Sequence, residues 1–321
     1  MEETKKAKLH ILTPRIDYPT WAPAFLLLCA FLARLFGRIG LTLSNPTLDA
    51  LMWILTSYLV PLLVWAWLRR KTIVGDLWLR PVKAFQIPLL ACIALALPLL
   101  NLILSLPFGN MAVLDKPFSV FGTLVPLSGG TVPEKILMIF TFLILPVLFD
   151  EIMFRCLLPH TFAQKGGPLV TALFSSLLFA FLDFDPGTFL SSFVTGLVLY
   201  LVLYVTRSLT PVLIIRLLYQ AYVLFFRSEI VSFYRSSGSG TVFLFLVFFF
   251  FALLAFLICT CMIFINRRYA QTLKNNEEAY GRRTKLTVRE YAAVSLKLIA
   301  NCGMDPFLWA CIVLAIAGLF V

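Results

Sequence analysis

The stretch ILMIFTFLILPVLFDEIMFRCLL, residues 136–158, decides the fold because it places charged residues inside an apolar run. The part from Ile136 to Leu148 holds no charge, and Asp150, Glu151 and Arg155 follow it directly. A charge near the bilayer centre costs about 2.5–3.5 kcal/mol on insertion scales, so ionisable residues at that depth are usually paired and functional. The sequence therefore predicts that the functional site of a membrane helix lies here.

The spacing within this cluster predicts how its charges are used. Glu151 and Arg155 stand four residues apart, with the acid first, which is the favourable orientation for an ion pair on one face of a helix. Asp150 is turned by about 100° from Glu151, so it is placed to meet another helix. We expect a structural Glu151–Arg155 pair and a separate contact for Asp150.

The composition predicts an all-α, polytopic integral membrane helical bundle. Hydrophobic residues make up 60% of the chain and charged residues 13%, whereas a soluble domain averages about 25% charged residues. Apolar segments near the ~20 residues that span a bilayer predict eight or nine spans. They lie at 22–43, 50–68, 86–107, 133–149 (with helix continuing to about 161), 168–183, 187–206, 210–226, 241–265 and 305–321.

The distribution of basic residues predicts the orientation. Of the 27 Lys and Arg, 19 fall in segments that are cytoplasmic if the N-terminus is inside, as the positive-inside rule requires. This orientation and anionic lipid account for the net charge of +11, so no nucleic-acid partner is expected. We expect a cytoplasmic tail at 1–21, an integral domain at 22–265, a basic cytoplasmic segment at 266–303 and a C-terminal membrane helix at 304–321. Short loops and cysteines within the spans fit a bacterial plasma membrane.

Two later spans also carry polar groups. Asp183 ends the segment SSLLFAFLD, and Arg216 and Gln220 lie four apart in TPVLIIRLLYQAY, on one helical face. Because each group would be costly alone in an apolar environment, we expect them to converge with the first cluster. For Asp183 a simpler interpretation is open, since Asp185-Pro186-Gly187 after it is a good turn signal.

These motifs, in this order, resemble those of the CPBP intramembrane proteases, the CAAX prenyl endopeptidase type II or Abi family. The family's motifs are EExxxR, FxxxH and HxxxN, and the corresponding stretches here are DEIMFR, FAFLD and RLLYQ. The third is introduced by Ser-Leu-Thr-Pro at 208–211, as a Ser-Leu-x-Pro turn introduces it in the family. The resemblance covers about residues 130–226, with weaker support from GDLWLR at 75–80. It implies a CPBP-like core of the lysostaphin-resistance protein A type.

The resemblance also implies site residues, and the chain departs from the family at most of them. The family's general base corresponds to Asp150, its two histidines to Asp183 and Arg216, and its asparagine to Gln220; only Glu151 and Arg155 match. An aspartate is shorter than glutamate by about 1.5 Å, which matters where a misplacement of ~1 Å costs ~100-fold. Asp183 cannot donate to an oxyanion while ionised, and Arg216 does not titrate. No metal or cofactor is expected, because both motif histidines are replaced.

The substitutions favour a catalytically degenerate protein. Two acids and a cation in one cavity predict that Arg216 bridges Asp150 and Asp183 as a structural network. The expected function is a membrane scaffold or regulator that binds another membrane or envelope protein. One alternative is a divergent endopeptidase that uses Asp150 or Glu151 as general base on a water and cleaves a peptide substrate. A weaker alternative is a transporter, although no inverted repeat is evident.

Overall fold

The structure is a computed structural model that describes the helices and two short strands of the chain. The described residues are 27–33, 35, 45–69, 79–105, 119–120, 123–124, 131–182, 188–226, 232, 242, 245–258, 260 and 306–320. The predicted N-terminal tail at 1–21 and basic segment at 266–303 lie outside these ranges, and so does Asp183.

The described part of the chain consists of helices, short connecting turns and one small antiparallel pair, β1 (Ser119–Val120) and β2 (Thr123–Leu124), in which Val120 lies opposite Thr123. The predicted all-α class is therefore confirmed. In chain order, the helical elements are α1 (Pro46–Ile54), π1 (Leu55–Leu59), α2 (Val60–Arg69), a 3₁₀ turn (Ala84–Gln86), α3 (Ile87–Ser105), α4 (Val132–Ile139), π2 (Phe140–Ile144), α5 (Leu145–Glu151), π3 (Ile152–Leu157), α6 (Leu158–Phe181), α7 (Phe189–Thr206), α8 (Leu209–Phe225), α9 (Phe245–Ile258) and α10 (Pro306–Phe320).

Several of these helices are long and apolar enough to cross a membrane. Among the described residues, three stretches meet this condition by length and composition: Thr47–Val64, Val132–Leu157 and Phe189–Thr206. Shorter apolar helices cover Ile87–Asn101, Leu169–Phe181, Leu209–Phe225 and Phe245–Ile258. The chain is thus a helical membrane protein, and the number of eight or nine spans stays a prediction.

Each π-helical segment ends two residues before a proline, at Pro61, Pro146 or Pro159. A proline inside an α-helix lacks an N–H and clashes with the carbonyl group four residues earlier. A wider turn relieves this clash, and the N–H just before each proline bonds five residues back instead of four. For example, the N–H of Leu158 donates to the carbonyl oxygen of Met153. The prolines therefore leave carbonyl groups of the preceding turn without their usual helical donors.

Helix α6 reverses its direction between its two ends. The hydroxyl of Ser175 lies 2.7 Å from the carbonyl oxygen of Phe154, 21 residues earlier in the chain. A straight helix of that length would separate the two by about 31 Å. Gly166-Gly167-Pro168 lies near the midpoint, and Gly and Pro are the usual causes of sharp bends. The reversal places the second half of α6 beside π3, and it falls at the predicted boundary between two spans.

Helix α7 approaches the second half of α6 so closely that only glycine fits at position 196. A Cβ atom on Gly196 would lie 2.9 Å from the Cβ atom and 3.0 Å from the Cα atom of Ser176. Small residues allow such close packing of membrane helices, where dispersion rather than the hydrophobic effect holds helices together. This contact sets the position of α7 against the helix that carries Ser175 and Phe179.

The turn before α8 is tied to a segment far away in the sequence. The hydroxyl of Ser208 donates to the carbonyl oxygen of Arg80 at 2.9 Å, and the N–H of Arg80 lies 3.3 Å from the same hydroxyl. Arg207, just before it, has a left-handed backbone with φ of 51° and ends α7. Ser208 of the Ser-Leu-Thr-Pro turn and Arg80, the last residue of the GDLWLR stretch, thus meet in space.

Candidate functional site: a buried ion-pair cluster

Glu151 and Arg155 form an ion pair that is completely buried. The Nε atom of Arg155 lies 3.3 Å from the Oε2 atom of Glu151, and the exposed fraction of both side chains is 0%. The pair spans the end of α5 and the turn of π3, as the four-residue spacing predicts.

A serine on the returning half of α6 positions Arg155. The Nη1 atom of Arg155 donates to the hydroxyl of Ser175 at 3.0 Å, and that hydroxyl donates to the carbonyl oxygen of Phe154 at 2.7 Å. In the π register the carbonyl of Phe154 would accept from residue 159, which is a proline without an N–H. Ser175 therefore satisfies a backbone group that Pro159 leaves open, and it connects π3 to α6.

Arg216 brings the third motif to the same carboxylate. Its Nε atom lies 3.9 Å from the Oε1 atom of Glu151, and its side chain is 13% exposed. The Cζ atom of Arg216 lies 5.2 Å from the ring centroids of both Phe179 and Tyr219, and the Cζ atom of Arg155 lies 5.5 Å from that of Phe179. Contacts between a cation and the face of an aromatic ring stabilise the cation most where it is desolvated. Phe179 thus lies against both guanidinium groups.

Asp150 makes its contact with a different helix, as its angular position predicts. The hydroxyl of Tyr58 donates to the Oδ1 atom of Asp150, and both residues are buried. The Tyr58 ring also stacks on that of Phe149, with centroids 5.9 Å apart and planes inclined by 8°. Tyr58 was not among the predicted site residues, because a tyrosine in an apolar span has no sequence signal that separates it from a packing residue.

Gln220 binds the main chain instead of a charged group. Its Nε2 atom donates to the carbonyl oxygen of Phe142 at 3.4 Å. Pro146 stands four residues after Phe142, where an α-helix would require an N–H to satisfy this carbonyl. Carbonyl groups that lie four or five residues before a proline thus accept from both later motif helices: that of Phe142 from Gln220 on α8, and that of Phe154 from Ser175 on α6.

A further set of polar side chains extends from Tyr219 away from the ion pairs. The Nδ2 atom of Asn101 donates to the Tyr219 hydroxyl at 2.6 Å, and the hydroxyl of Thr195 lies 3.4 Å from the Oδ1 atom of Asn101. These bonds connect α3, α7 and α8. Asn101 and Tyr58 are polar residues within apolar spans, which is the one weak sequence signal that they share.

The structure brings together most of the predicted site residues. Asp150, Glu151 and Arg155 lie next to one another on α5 and π3, Arg216 reaches Glu151, and Gln220 lies one turn further along α8. The carboxylate that Arg216 reaches is thus Glu151, to which the sequence assigned only Arg155. Asp183 lies outside the described residues, so the predicted bridge from Arg216 to Asp183 stays a prediction.

The described cluster contains two acids, Asp150 and Glu151, and two cations, Arg155 and Arg216. Several of their polar atoms lack hydrogen bonds. Both carboxylate oxygens of Glu151, the Nε and Nη2 atoms of Arg155 and the Nε atom of Arg216 are buried with no hydrogen-bond partner. The ion pairs from the two Nε atoms to Glu151 compensate four of these five atoms. Among the described residues, no group of three or more His, Cys, Asp and Glu side chains is placed to hold a metal ion. The arrangement is chemically a buried ion-pair network that joins three segments of the chain.

These features define a class: a polytopic α-helical membrane protein with an ion-pair cluster buried at the meeting point of its helices. Residues 132–222 match the family model described as type II CAAX prenyl endopeptidase Rce1-like. The matched segment supports the assignment to the CPBP family that the three motifs predicted. It is less than a third of the chain and includes every described site residue except Tyr58 and Asn101. Neither the curated proteins nor the solved structures gave a match.

Proposed function

We propose that this protein is a non-catalytic member of the CPBP family that acts as a membrane scaffold or regulator for another membrane or envelope protein. The observation that carries the proposal is the Glu151 carboxylate, the acid retained from the family motif, which lies between the guanidinium groups of Arg155 and Arg216. A general base needs access to water and a partner that can pass on its proton. Arg216 stands where the family has a histidine, and a guanidinium cannot replace an imidazole as a proton carrier.

The contacts of the remaining motif residues support the same proposal. Asp150, at the position of the family's base, accepts from Tyr58, and Gln220, at the position of its asparagine, donates to the main chain. Groups that stabilise an oxyanion must point at the reacting atom before the reaction begins. Here the donors of Gln220 and Arg216 are directed at Phe142 and Glu151, which are parts of the fold itself.

The expected environment is the plasma membrane of a bacterium, with the N-terminus in the cytoplasm. The apolar helices and the excess of Lys and Arg in the predicted inner segments support this placement. A scaffold of this kind presents apolar helix faces to lipid and to the spans of a partner, so binding is expected to persist in mild detergent. Peptide is a substrate only under the alternative below.

A peptidase assay on the full chain in liposomes, with Glu151→Gln as the matched variant, tests the non-catalytic proposal. Probes are a prenylated CAAX peptide and a set of transmembrane peptides, and wild type and variant are expected to give equal, background-level cleavage. Cleavage by the wild type that Glu151→Gln abolishes overturns the proposal.

The scaffold role is tested by isolating the tagged protein from its native membrane. One partner retained in fixed ratio by both forms supports it.

One observation favours a divergent, active endopeptidase as the second candidate. Both oxygens of the Glu151 carboxylate lack hydrogen-bond donors, so each keeps a lone pair with which it could accept from a catalytic water molecule. Glu151 would then act as general base with Asp150 beside it. The same assay decides between the candidates, with Asp150→Asn added to identify the acid that is needed.

A further inference from the structure

Tyr58 is the residue from outside the family-matched segment that reaches an acidic group of the site. Its hydroxyl donates to the Oδ1 atom of Asp150, although 92 residues separate the two in sequence. The exposed fraction of Tyr58 is 0% and that of Asp150 is 7%, so the contact lies in the interior. The segment that carries Tyr58 runs from α1 through π1 to α2 and precedes the matched residues 132–222.

We propose that Tyr58 seals the acidic end of the site. Its hydroxyl occupies one oxygen of Asp150, at which that carboxylate could otherwise hold a water molecule, and the same hydroxyl takes the space that a longer acid at position 150 would need. Tyr58 is a positioning residue in this role, because it acts through Asp150. The inference deepens the proposed function and rests on it, since it explains how the family's base position is held in a non-catalytic state.

The surroundings of Tyr58 hold it in place. Its ring is stacked nearly parallel on Phe149, the residue that precedes Asp150, so ring and carboxylate are positioned by the same turn of α5. On its own helix, Tyr58 lies in π1, the wide turn that ends before Pro61. A fully buried ring held by two consecutive residues of α5 has little space to swing aside.

The same geometry accounts for the aspartate at position 150. A glutamate there would carry its carboxylate about one C–C bond, or about 1.5 Å, further from the α5 backbone. In the observed arrangement this extra length points into the hydroxyl of Tyr58, which already touches Oδ1. Tyr58 and Asp150 therefore fit each other. The phenol hydroxyl takes the place of the extra methylene group of a glutamate and of a water molecule bound to its carboxylate.

Chemical modification of Asp150 tests whether Tyr58 controls that carboxylate. Dicyclohexylcarbodiimide is an apolar reagent that modifies protonated carboxyl groups within membranes, and mass spectrometry assigns the product to Asp150 or Glu151. A hydrogen bond to the charged form of an acid favours that form, so loss of the Tyr58 hydroxyl favours protonation. We expect Tyr58→Phe to raise the rate of modification at Asp150 by about tenfold or more, because tenfold is the lower end of what a hydrogen bond to a charged group contributes.

Two matched variants serve as controls for this experiment. Tyr204→Phe removes a phenol hydroxyl from a side chain that is 55% exposed, and Gly196→Ala loosens the helix packing without touching the pair. Both are expected to modify at the wild-type rate at Asp150. The proposal is overturned if Tyr58→Phe reacts like wild type, or if Gly196→Ala reacts as fast as Tyr58→Phe, because the effect would then be one of general loosening.

A second measurement needs no change at Tyr58 and so does not depend on the folding of that variant. Asp150→Glu adds the methylene group, whereas Asp150→Asn keeps the size of the side chain and removes its charge. We expect Asp150→Glu to lower the unfolding midpoint in detergent by several degrees more than Asp150→Asn does. If glutamate is tolerated as well as asparagine, Tyr58 does not occupy the space of the longer acid.

Neither measurement requires the protein to cleave or to bind anything. If the wild type proves to be a peptidase, the proposed function fails, while the modification rate at Asp150 still reports on Tyr58. If the modification rate does not respond to Tyr58, the seal fails, while the protein remains a candidate scaffold.

Discussion

The Nε atom of Arg216 lies 3.9 Å from the Oε1 atom of Glu151, and this contact joins helix α8 to the end of α5. Arg155 lies 3.3 Å from the other oxygen of the same carboxylate. One buried acid therefore lies between two cations from different parts of the chain. In this chain the side chains at the motif positions of a protease family form an ion-pair contact between helices.

Replacement of Arg216 should destabilise the protein. Arg216→Ala leaves Glu151 with one cation and removes a guanidinium group from the faces of Phe179 and Tyr219, and breaking a buried ion pair costs about 3 kcal/mol. The measurement is the unfolding midpoint in detergent, with Leu218→Ala as the control, an exposed residue on the same helix. An unchanged midpoint in Arg216→Ala would show that the pair does not hold α8 in place.

Two adjacent serines on α6 should respond very differently to loss of the hydroxyl. Ser175→Ala removes one acceptor of Arg155 and one donor to the Phe154 carbonyl, and leaves only the longer 3.4 Å bond between these two groups. The loss should cost about 1–3 kcal/mol because both groups stay buried. Ser176 is equally buried, but its hydroxyl has no hydrogen-bond partner, so Ser176→Ala should be neutral or slightly stabilising. Comparison of the two unfolding midpoints checks this, and equal losses would contradict the assignment of Ser175 to Arg155.

The contact between α6 and α7 should not tolerate a methyl group. Gly196→Ala places a Cβ atom 2.9 Å from that of Ser176, so the helices must separate, and overpacking of this kind costs about 1–3 kcal/mol. Ser176→Gly removes the opposing atom and should restore part of the stability in the double variant. A double-variant cycle on thermal unfolding measures the coupling. Additive losses would show that the two positions do not collide.

Replacement of Arg207 by glycine should stabilise the protein. Its φ of 51° is a left-handed conformation that costs an ordinary residue about 1–2 kcal/mol and glycine almost nothing. Arg207→Gly should therefore raise the unfolding midpoint, while Arg207→Ala removes the same exposed charge and keeps the unfavourable backbone. A higher midpoint for glycine than for alanine is the expected result. If the two variants behave alike, the left-handed turn is not a source of strain.

Much of the site was predictable from the spacing of charged residues. Glu151 and Arg155 pair because four residues make slightly more than one helical turn, and this holds in any α-helix. The same rule placed Asp150 on a different face, where it meets Tyr58. The match of residues 132–222 to the Rce1-like family confirms the family inferred from the three motifs.

The partners across the helices were not predictable in this way. Nothing in the spacing of Tyr58, Asn101 or Ser175 separates them from packing residues, since one uncharged polar residue in an apolar span costs little and needs no particular partner. Likewise the prolines at 146 and 159 are visible in the sequence, but which side chains would satisfy the carbonyl groups they leave open depends on the packing of α6 and α8.

The sequence by itself determined the class of the protein, because membrane insertion and helical pairing follow from local composition and from the period of the helix. It also determined which residues are too costly to leave alone in an apolar interior. Only the tertiary structure decided that Arg216 pairs with Glu151, that Phe179 lies against two guanidinium groups and that Tyr58 covers Asp150. The reason is physical: a buried charge requires a partner, but which partner it finds depends on how the helices cross, and close contacts such as that of Gly196 with Ser176 set those crossings.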